Sequence, residues 1–397
     1  MAYSKNAPFR ADVVGSYLRP DELKQARADY AAGIIDAAGL KAVEDRLITD
    51  LVAKQKAAGL HVITDGEFRR GWWHFDFMWG FNGVDHVAAA HRVAFHDEVT
   101  PADTATVTGK LDGHDHPFVE HFKFVKQFED DNTVARQTMP SPAQTRFVLT
   151  GNKNVYPYNE FYKDDDELTA DIVAAYRQVI ADLYAAGCRN MQFDDCTWTR
   201  LCDKSVRERL GWSDEDAARL QQENLDVINA VIADQPDDLA INTHICRGNF
   251  HSTWLSSGGY APVAAKLFGE ENVDAYYLEF DDDRSGDFAP LAEVSGDKQV
   301  VLGLVTSKRP ELEDPEVIKA RISEAAQYVP LERLCLSTQC GFASTEEGNK
   351  LTEEQQWAKI ALVRSIAGRS LGRIIQANAR YDQLMTWSYR ALCYSMM

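Results

Sequence analysis

Short apolar runs alternate with helix-like segments along most of this chain, and that alternation restricts its fold more than any other feature. Eight runs are rich in β-branched and apolar residues. Strands that read as nearly continuous apolar runs are typical of parallel sheets covered by helices. Eight such units predict an α/β fold of the (β/α)8 TIM-barrel type. The predicted strands are residues 11–17, 61–67, 133–139, 190–196, 239–246, 275–280, 299–305 and 333–340. The clearest predicted helices are 44–59, 170–187, 214–234 and 353–368.

A doubly wound open sheet is the alternative fold for the same alternation. Dinucleotide-binding sheets of that type carry a glycine-rich turn after the first strand, whereas VVGSYLRP offers one glycine and then a proline. Residues 79–130 interrupt the pattern with alternating polarity and with the turn signals Asn82-Gly83 and Asp112-Gly113. These signals predict a β-hairpin insertion. We therefore expect a single TIM-barrel domain over residues 1–397 that carries this insertion.

The charge and hydropathy of the chain argue against several classes of protein. The 397 residues carry a formal net charge of −19, which disfavours general binding to nucleic acids or anionic membranes. No apolar run reaches the length of a membrane span, and the first residues lack the pattern of a signal peptide. The seven cysteines are sparse for so long a chain, so we expect no disulfide framework. These observations predict a soluble, cytoplasmic protein.

Polar residues end most of the predicted strands. Active sites of parallel barrels lie at the carboxyl ends of the strands, where the βα loops meet. One polar end would carry little weight, but a row of them predicts a functional site at this rim. The ends in question are Gly15-Ser16, Asp65-Gly66-Glu67, Asp194-Asp195-Cys196, His244-Ile245-Cys246, Glu279-Phe280-Asp281 and Cys340-Gly341.

Four of these strand-end residues are good metal ligands. His244 and Cys246 stand two positions apart, and residues i and i+2 of a strand share a face. Glu279 and Cys340 come from other strand ends on the same rim. An imidazole and two thiolates favour zinc over magnesium or calcium. The pattern therefore predicts a Zn²⁺ site.

Other interpretations of these residues remain open from the sequence. A histidine and a cysteine in a strand are more often core residues than ligands, and Glu279 could simply pair with Arg284. A second histidine group, His114, His116 and His121, lies in the predicted insertion. It lacks thiols and a strand framework, so we interpret it as solvated loop. For His74, in GWWHFDFMWG, we expect packing among aromatic side chains.

The motifs at the strand ends resemble the catalytic barrel of cobalamin-independent methionine synthase. They are VVGSYLRP, DGEFRR, MQFDD, THIC, the glutamate of YYLEFDDDR, and STQCGF, in that order along the chain. The resemblance is closest to the short, single-barrel branch of that family. It implies zinc ligands at His244, Cys246, Glu279 and Cys340.

The resemblance also implies a binding site for homocysteine. The turn at Gly15 and Ser16 would meet the carboxylate of the amino acid, and Glu67 and Asp194 would meet its ammonium group. Such a division is chemically sound, because a zwitterion needs donors at one end and carboxylates at the other.

The chain departs from the family pattern at two strand ends. Where the long form has a histidine that resembles a proton donor, this chain has VTSKRP, so Lys308 or Ser307 becomes the candidate donor. Asp195-Cys196 stands where the family commonly has Glu-Pro, and we interpret Cys196 as a plain buried thiol. Candidates for an aromatic platform under a pterin are Trp72, Trp73, Tyr156, Tyr158 and Trp198. Candidates for contacts with a polyglutamate tail are Arg19, Arg69, Arg70, Lys308 and Arg309.

The leading functional prediction is zinc-dependent methyl transfer to the thiol of homocysteine, giving methionine. The donor would be 5-methyltetrahydrofolate, with its polyglutamate tail, or another methyl carrier such as an accessory corrinoid protein. Alternatives are alkylation of a different thiol, such as a sulfonate thiol that opens an epoxide, and decarboxylation of a polycarboxylate on a related barrel. A non-catalytic zinc-binding protein is the remaining alternative. We also expect that the chain could form a homo-oligomer.

Overall fold

The computed structural model describes residues 7–89 and 92–368 of the chain. Cys393 and the other residues outside these ranges are not part of the description. The helices are α1 Asp21–Ala31, α2 Ala37–Ala57, α3 Phe75–Met78, α4 Pro117–Lys126, α5 Pro142–Gly151, α6 Asp165–Ala185, α7 Thr197–Cys202, α8 Lys204–Leu210, α9 Asp214–Ile232, α10 Ala264–Glu270, α11 Pro315–Ala325 and α12 Glu353–Ile366. The strands are β1 Val62–Ile63, β2 Asn82–Ala88, β3 Asp103–Asp112, β4 Val134–Ala135, β5 Gln137–Pro140, β6 Asn190–Asp195, β7 Ala240–Ile245, β8 Ala275–Glu279, β9 Gln299–Val305 and β10 Leu334–Thr338.

Parallel strands carry the architecture. Strands β5 to β10 form a six-stranded sheet in sequential order, and β4, which directly precedes β5, pairs with β1. Residues 10–17 lie between the two ends of this series. Ala11 forms a parallel bridge with Leu336 of β10, and the amide of Tyr17 donates to the carbonyl of Gly66, 3.1 Å away. Helices cover the outside, and the arrangement confirms the predicted α/β TIM-barrel class.

The prediction of a regular strand over residues 11–17 is wrong. The backbone turns at Gly15, where φ is 138°, a conformation that side chains rarely permit. A Cβ at this position would lie 2.9 Å from the Cγ2 of Thr138. The hydroxyl of Thr64 donates to the carbonyl of Gly15 at 2.7 Å, so a side chain satisfies the backbone group that a sheet ladder would otherwise bond.

Capping residues fix the start of several long helices. Ser213 and Thr352 each form a capping box, with Asp216 of α9 and Gln355 of α12 respectively. Such reciprocal bonds satisfy two of the backbone amides that a helix start leaves without partners. The four predicted helices correspond to α2, α6, α9 and α12. None of the helices in the described ranges combines the length and the apolar character needed to cross a membrane.

The insertion is a β-hairpin, as predicted. Strands β2 and β3 pair antiparallel, and the amide of Leu111 in β3 donates to the hydroxyl of Tyr162 at 2.7 Å. The described residues 92–102 between the two strands, here called the roof segment, extend towards the loop after β7. The amide of His96 donates to the carbonyl of Trp254 at 2.9 Å. Glu98 contacts His251 at 3.0 Å and Lys350 at 2.8 Å.

The interpretation of His114, His116 and His121 as solvated loop is wrong for two of the three. His116 is buried at the start of α4, where its Nδ1 accepts from the amide of Phe118 and its Nε2 donates to the carbonyl of Phe77. His121 lies within α4 and is partly buried. Only His114 is exposed, beside Asp112. The sequence suggested a loop because these histidines lie in the insertion and lack thiols and a strand framework, but Pro117 instead stands in the first turn of a helix, where proline is well tolerated.

Candidate metal centre

The four predicted ligands meet at the mouth of the barrel. His244 lies in β7, Cys246 directly follows it, Glu279 ends β8, and Cys340 follows β10. One ligand atom from each residue lies within 4.8 Å of every other, and all four side chains are buried. The Sγ atoms of Cys246 and Cys340 are 3.6 Å apart. The parallel strands therefore bring these donors together, as their positions at the strand ends predicted, although the donor residues are up to 96 positions apart in the chain.

A backbone carbonyl orients the imidazole of His244. Its Nδ1 donates to the carbonyl of Tyr277 on the neighbouring strand β8, at 3.2 Å. Its Nε2 is buried and has no hydrogen-bond partner among residues 7–89 and 92–368. In metal sites a histidine commonly uses one nitrogen for the metal and gives the other N–H to a carbonyl or carboxylate. The unpartnered Nε2 in a group with two sulfurs and a carboxylate therefore fits a tetrahedral zinc site.

Glu279 is surrounded by cations. Its Oε1 accepts from the amide of Arg247 at 2.7 Å, and its Oε2 lies 3.2 Å from Arg284. Burial raises the pKa of Glu279, but Lys308, Arg284 and Arg247 outweigh burial and lower it to about 2. The carboxylate is thus ionised at neutral pH. Glu279 therefore pairs with Arg284, as the alternative interpretation proposed, and also belongs to the metal group.

A pair of carboxylates lies in the same cleft. Glu67 and Asp194 both line it, and both are buried. Burial, and then the charge of Glu67, raise the pKa of Asp194 well above its ordinary value. Burial likewise raises the pKa of Glu67, although Arg70 opposes this. In the part of the chain that the structure describes, the Oε2 of Glu67 has no hydrogen-bond partner. Two carboxylates held together in a poorly solvated place favour a bound cation.

Ser16 connects this pair to the metal group. It is buried and lines the cleft, and its Oγ accepts from the amide of Ala343 at 3.3 Å. Gly341, next to Cys340, packs so closely that a Cβ there would lie 1.9 Å from the Oγ of Ser16. The loop after β10 therefore supplies one candidate metal ligand and a wall for the serine.

Aromatic side chains form another wall of the cleft. His74 stacks between Trp73 and Phe75, with ring centroids 4.4 and 3.9 Å away, which confirms its predicted packing. Burial lowers the pKa of His74 to about 3, so the ring is neutral. Trp72 and Trp73 also line the cleft, whereas Tyr156, Tyr158 and Trp198 do not. Of the five aromatic candidates, two thus face the site.

The family to which the chain belongs can now be stated from comparison with known proteins. Residues 126–364 match the family model described as "Cobalamin-independent synthase, Catalytic domain". This chain belongs to that family. The matched range contains all four metal-group residues and Asp194, while Ser16 and Glu67 precede it.

Individual relatives extend the family match over most of the chain. The uncharacterized protein YxjH of Bacillus subtilis (strain 168) is 48% identical over 364 residues, which cover 91% of this chain and 95% of the relative. A methionine synthase of Saccharolobus solfataricus is 23% identical, covering 86% of this chain and 94% of that one. The two matches cover 91% and 86% of this chain respectively.

Two solved structures share the fold. A candidate vitamin-B12-independent methionine synthase from Listeria monocytogenes is 39% identical, with a TM-score of 0.72, covering 91% of this chain and 98% of that chain. A B12-independent methionine synthase from Shewanella sp. W3-18-1, solved in complex with selenomethionine, has a TM-score of 0.70 at 19% identity. It covers 93% of this chain and 100% of that chain, and at this identity it supports the fold alone.

Cys196 is part of the site in this member of the family, contrary to its interpretation as a plain buried thiol. It packs against Cys246, Cys340 and Trp73 and lines the cleft. The sequence feature that could have revealed this was the position of Cys196 at the end of β6, since the metal-group residues were identified from the same kind of position. An isolated cysteine after an aspartate does not reveal which way it faces, and here the backbone is already leaving the strand.

Lys308 lies behind the wall of the cleft. It is buried, and its Nζ donates to the Oδ1 of Asn249 at 3.3 Å. Asn249 lines the cleft, whereas Lys308 does not. The Nδ2 of Asn249 donates in turn to the carbonyl of Gly341 at 2.9 Å. Asn249 is thus a residue that the sequence analysis missed, although it stands only three positions after Cys246.

Three of the basic candidates have partners inside the protein. Arg19 donates to the carbonyl of Ala343, and Arg70 to that of Thr138. Arg69 pairs with Glu44, 2.9 Å away. These contacts fit the interpretation that the three arginines are ordinary structural partners of other groups in an acidic protein.

Proposed function

We propose that this protein is a zinc-dependent methyltransferase that transfers a methyl group to the thiol of homocysteine and forms methionine. The observation that carries the proposal is the common cleft of two groups. Donors suited to zinc, His244, Cys246, Glu279 and Cys340, lie at one end. The buried carboxylates Glu67 and Asp194, with Ser16, line the same cleft. A substrate with both a thiol and an ammonium group would use both ends.

The amino-acid part of homocysteine would be held by the carboxylate pair and the serine turn. An ammonium group between Glu67 and Asp194 would compensate their burial, which now raises the pKa of both. The Oγ of Ser16 and the backbone at Gly15 would meet the substrate carboxylate. Arg70 already pairs with Glu67 at 3.4 Å, so a thiol without an amine would leave Asp194 without a cation of its own, and this favours an amino-acid thiol over a sulfonate thiol.

The four donors would hold the metal, and the surroundings of His244 and Glu279 prepare these two for that role. The Tyr277 carbonyl orients His244 so that Nε2 is free. The surrounding cations keep Glu279 ionised and share its charge, which favours a ligand that an incoming thiol can displace. Zn²⁺ bound here would lower the pKa of the substrate thiol and so supply a nucleophilic thiolate at neutral pH.

The methyl donor would be 5-methyltetrahydrofolate or another carrier. A departing folate nitrogen needs a proton, and Lys308 is the candidate donor; Asn249 lies between it and the cleft. The comparisons support the acceptor half of the proposal, because methionine synthases are among the relatives.

The proposal is tested by metal content together with turnover. Purified full-length protein is assayed for methionine formation from homocysteine, with 5-methyltetrahydrofolate carrying one or three glutamates and, separately, with methylcobalamin. We expect one zinc per chain and methionine formation with at least one donor. Full activity after complete removal of zinc by a chelator would contradict the proposal.

A further inference from the structure

Arg200 is a cation in the cleft wall that lacks an anionic partner. It belongs to α7, whose other residues are committed elsewhere: Trp198 is buried in the core, and Thr199 donates to the carbonyl of Cys246 at 2.6 Å. Arg200 lines the cleft and is partly buried. Its Nε is buried without a hydrogen-bond partner, and within the described residues no carboxylate forms an ion pair with it. A desolvated cation without a partner is unfavourable.

Asp195 acts on Arg200 electrostatically but forms no ion pair with it within the described residues. The oxygens of Asp195 instead accept hydrogen bonds from Ser141, from the hydroxyl and amide of Thr197, and from the amide of Trp198. The guanidinium of Arg200 lies over the ring of Phe147, 4.2 Å from the centroid. An aromatic face holds the group in place but leaves its N–H donors for another acceptor.

Gln144 adds a second unpartnered polar group to the same wall. It lies on α5 one turn before Phe147, so the two residues share a helix face. It is 1% exposed and lines the cleft, and none of the described residues forms a hydrogen bond with its Oε1. Buried side-chain amides are nearly always hydrogen-bonded. The wall formed by Gln144 and Arg200 is therefore incomplete without a ligand.

The cleft is consequently divided by charge. Glu67 and Asp194 form an acidic region beside Ser16, and Arg200 forms a basic region beside Cys196. The tryptophans at 72 and 73 and the neutral His74 form an apolar wall of the same cleft. One zwitterionic acceptor accounts for the acidic region, so the basic region is left for a second ligand.

We propose that Arg200 and Gln144 form a subsite for an anionic group of the methyl donor, so that the donor carries a carboxylate, sulfonate or phosphate near its transferable methyl group. This inference rests on the proposed function, since it assigns the second substrate of that cleft. The guanidinium would donate to the anionic oxygens, as arginine does in many such sites. The same charge would repel cationic donors such as sulfonium compounds.

A pair of small electrophiles tests this without knowledge of the natural donor. Iodoacetate and iodoacetamide share the reacting carbon and the leaving group but differ in charge. With either one, the homocysteine sulfur forms a C–S bond as a thiolate, and iodide leaves with the electrons of the C–I bond. Zinc-loaded full-length protein is mixed with homocysteine and each reagent, and the two thioether products are quantified by mass spectrometry after subtraction of the uncatalysed rate.

We expect the rate ratio of iodoacetate to iodoacetamide to fall roughly tenfold in Arg200→Gln, as loss of one charge-assisted hydrogen bond implies. Arg200→Lys should retain part of the preference. Arg209→Gln is the matched control, because Arg209 is exposed on α8 and close enough to influence Arg200; its ratio should equal that of the wild type. The same fractional change with both reagents in Arg200→Gln, or no change, would overturn the subsite.

The proposed function can fail separately. If zinc is bound but neither reagent alkylates homocysteine above background in the wild-type protein, the thiol chemistry itself is contradicted, and the subsite falls with it. If homocysteine is alkylated and only the Arg200 effect is missing, the thiol chemistry stands and the inference about the donor is wrong.

Discussion

The floor and the roof of the cleft are built in different ways. The floor consists of His244, Cys246, Glu279 and Cys340, which are at most 6% exposed and lie at or directly after the ends of barrel strands. The roof segment, residues 92–102, is held partly by exposed side chains: those of Glu98, His251 and Lys350 are 29%, 40% and 55% exposed. Rigid strands thus fix the chemical groups, while an inserted loop, held by weaker contacts, covers them. Changes in the floor should therefore cost far more than changes in the roof.

The largest effect is expected from loss of a floor thiol. Cys340→Ser should remove most of the bound zinc and lower methionine formation. Substitution of residues that hydrogen-bond to metal ligands typically costs roughly 10- to 100-fold in activity, and loss of a ligand itself should cost more. Cys335→Ser is the matched control, since Cys335 is equally buried in β10 but outside the metal group. Zinc content and turnover are measured for both. Similar losses in the two variants would show that buried thiols in general, rather than the floor, are responsible.

The second effect concerns the carboxylate pair at the acidic end. Asp194→Asn should raise the KM for homocysteine roughly 30-fold while zinc content stays unchanged, because removing one partner of a buried charge pair costs about 2–5 kcal/mol. Binding of a thiol without an amine, such as 2-mercaptoethanol, should be unaffected. Steady-state kinetics and thiol titrations measure both quantities. An unchanged KM would mean that the ammonium group is bound elsewhere.

The same substitution should increase stability in the free protein. Burial and Glu67 raise the pKa of Asp194, so the native state binds a proton more tightly than the unfolded state. Stability contributed by this protonated form is present at low pH and is lost as pH rises through the native pKa. The gain in melting temperature of Asp194→Asn over the wild type, both without metal and substrate, should therefore be larger at pH 8 than at pH 4.5. A gain in melting temperature that shrinks with rising pH would contradict the predicted direction of this pH dependence.

The smallest effect is expected at the roof. Glu98→Gln removes the charge that contacts His251 and Lys350, and exposed ion pairs of this kind contribute little to stability. Turnover and KM should change by about fivefold or less, with no loss of zinc. Glu316→Gln, which removes an exposed pair with Lys319 far from the cleft, serves as the control. A loss comparable with that of Cys340→Ser would show that the roof is as critical as the floor.

The floor could be predicted from the sequence, but several residues around it could not. His244 and Cys246 share a face because strand side chains alternate, and the other two ligands lie at ends of strands whose apolar character is plain. Cys196 and Asn249 sit just past strand ends, where that regular alternation stops, and Arg200 lies in the short helix α7 that follows β6. No local rule then gives the direction of a side chain. The burial of His116 was missed for the same reason, since the packing of α4 against Phe77 involves residues 39 positions apart.

The alternation of strands and helices, the polar strand ends and the hairpin signals were determined by the sequence alone, because each depends on residues close together in the chain. The single-domain organisation and the roles of the site residues stay predictions. Only the tertiary structure decided which groups share one cleft: the roof over the mouth, the third thiol beside the floor, the lysine behind Asn249 and the unpartnered guanidinium of Arg200. These depend on distances between segments far apart in the chain, which are set by how the helices and loops pack around the barrel.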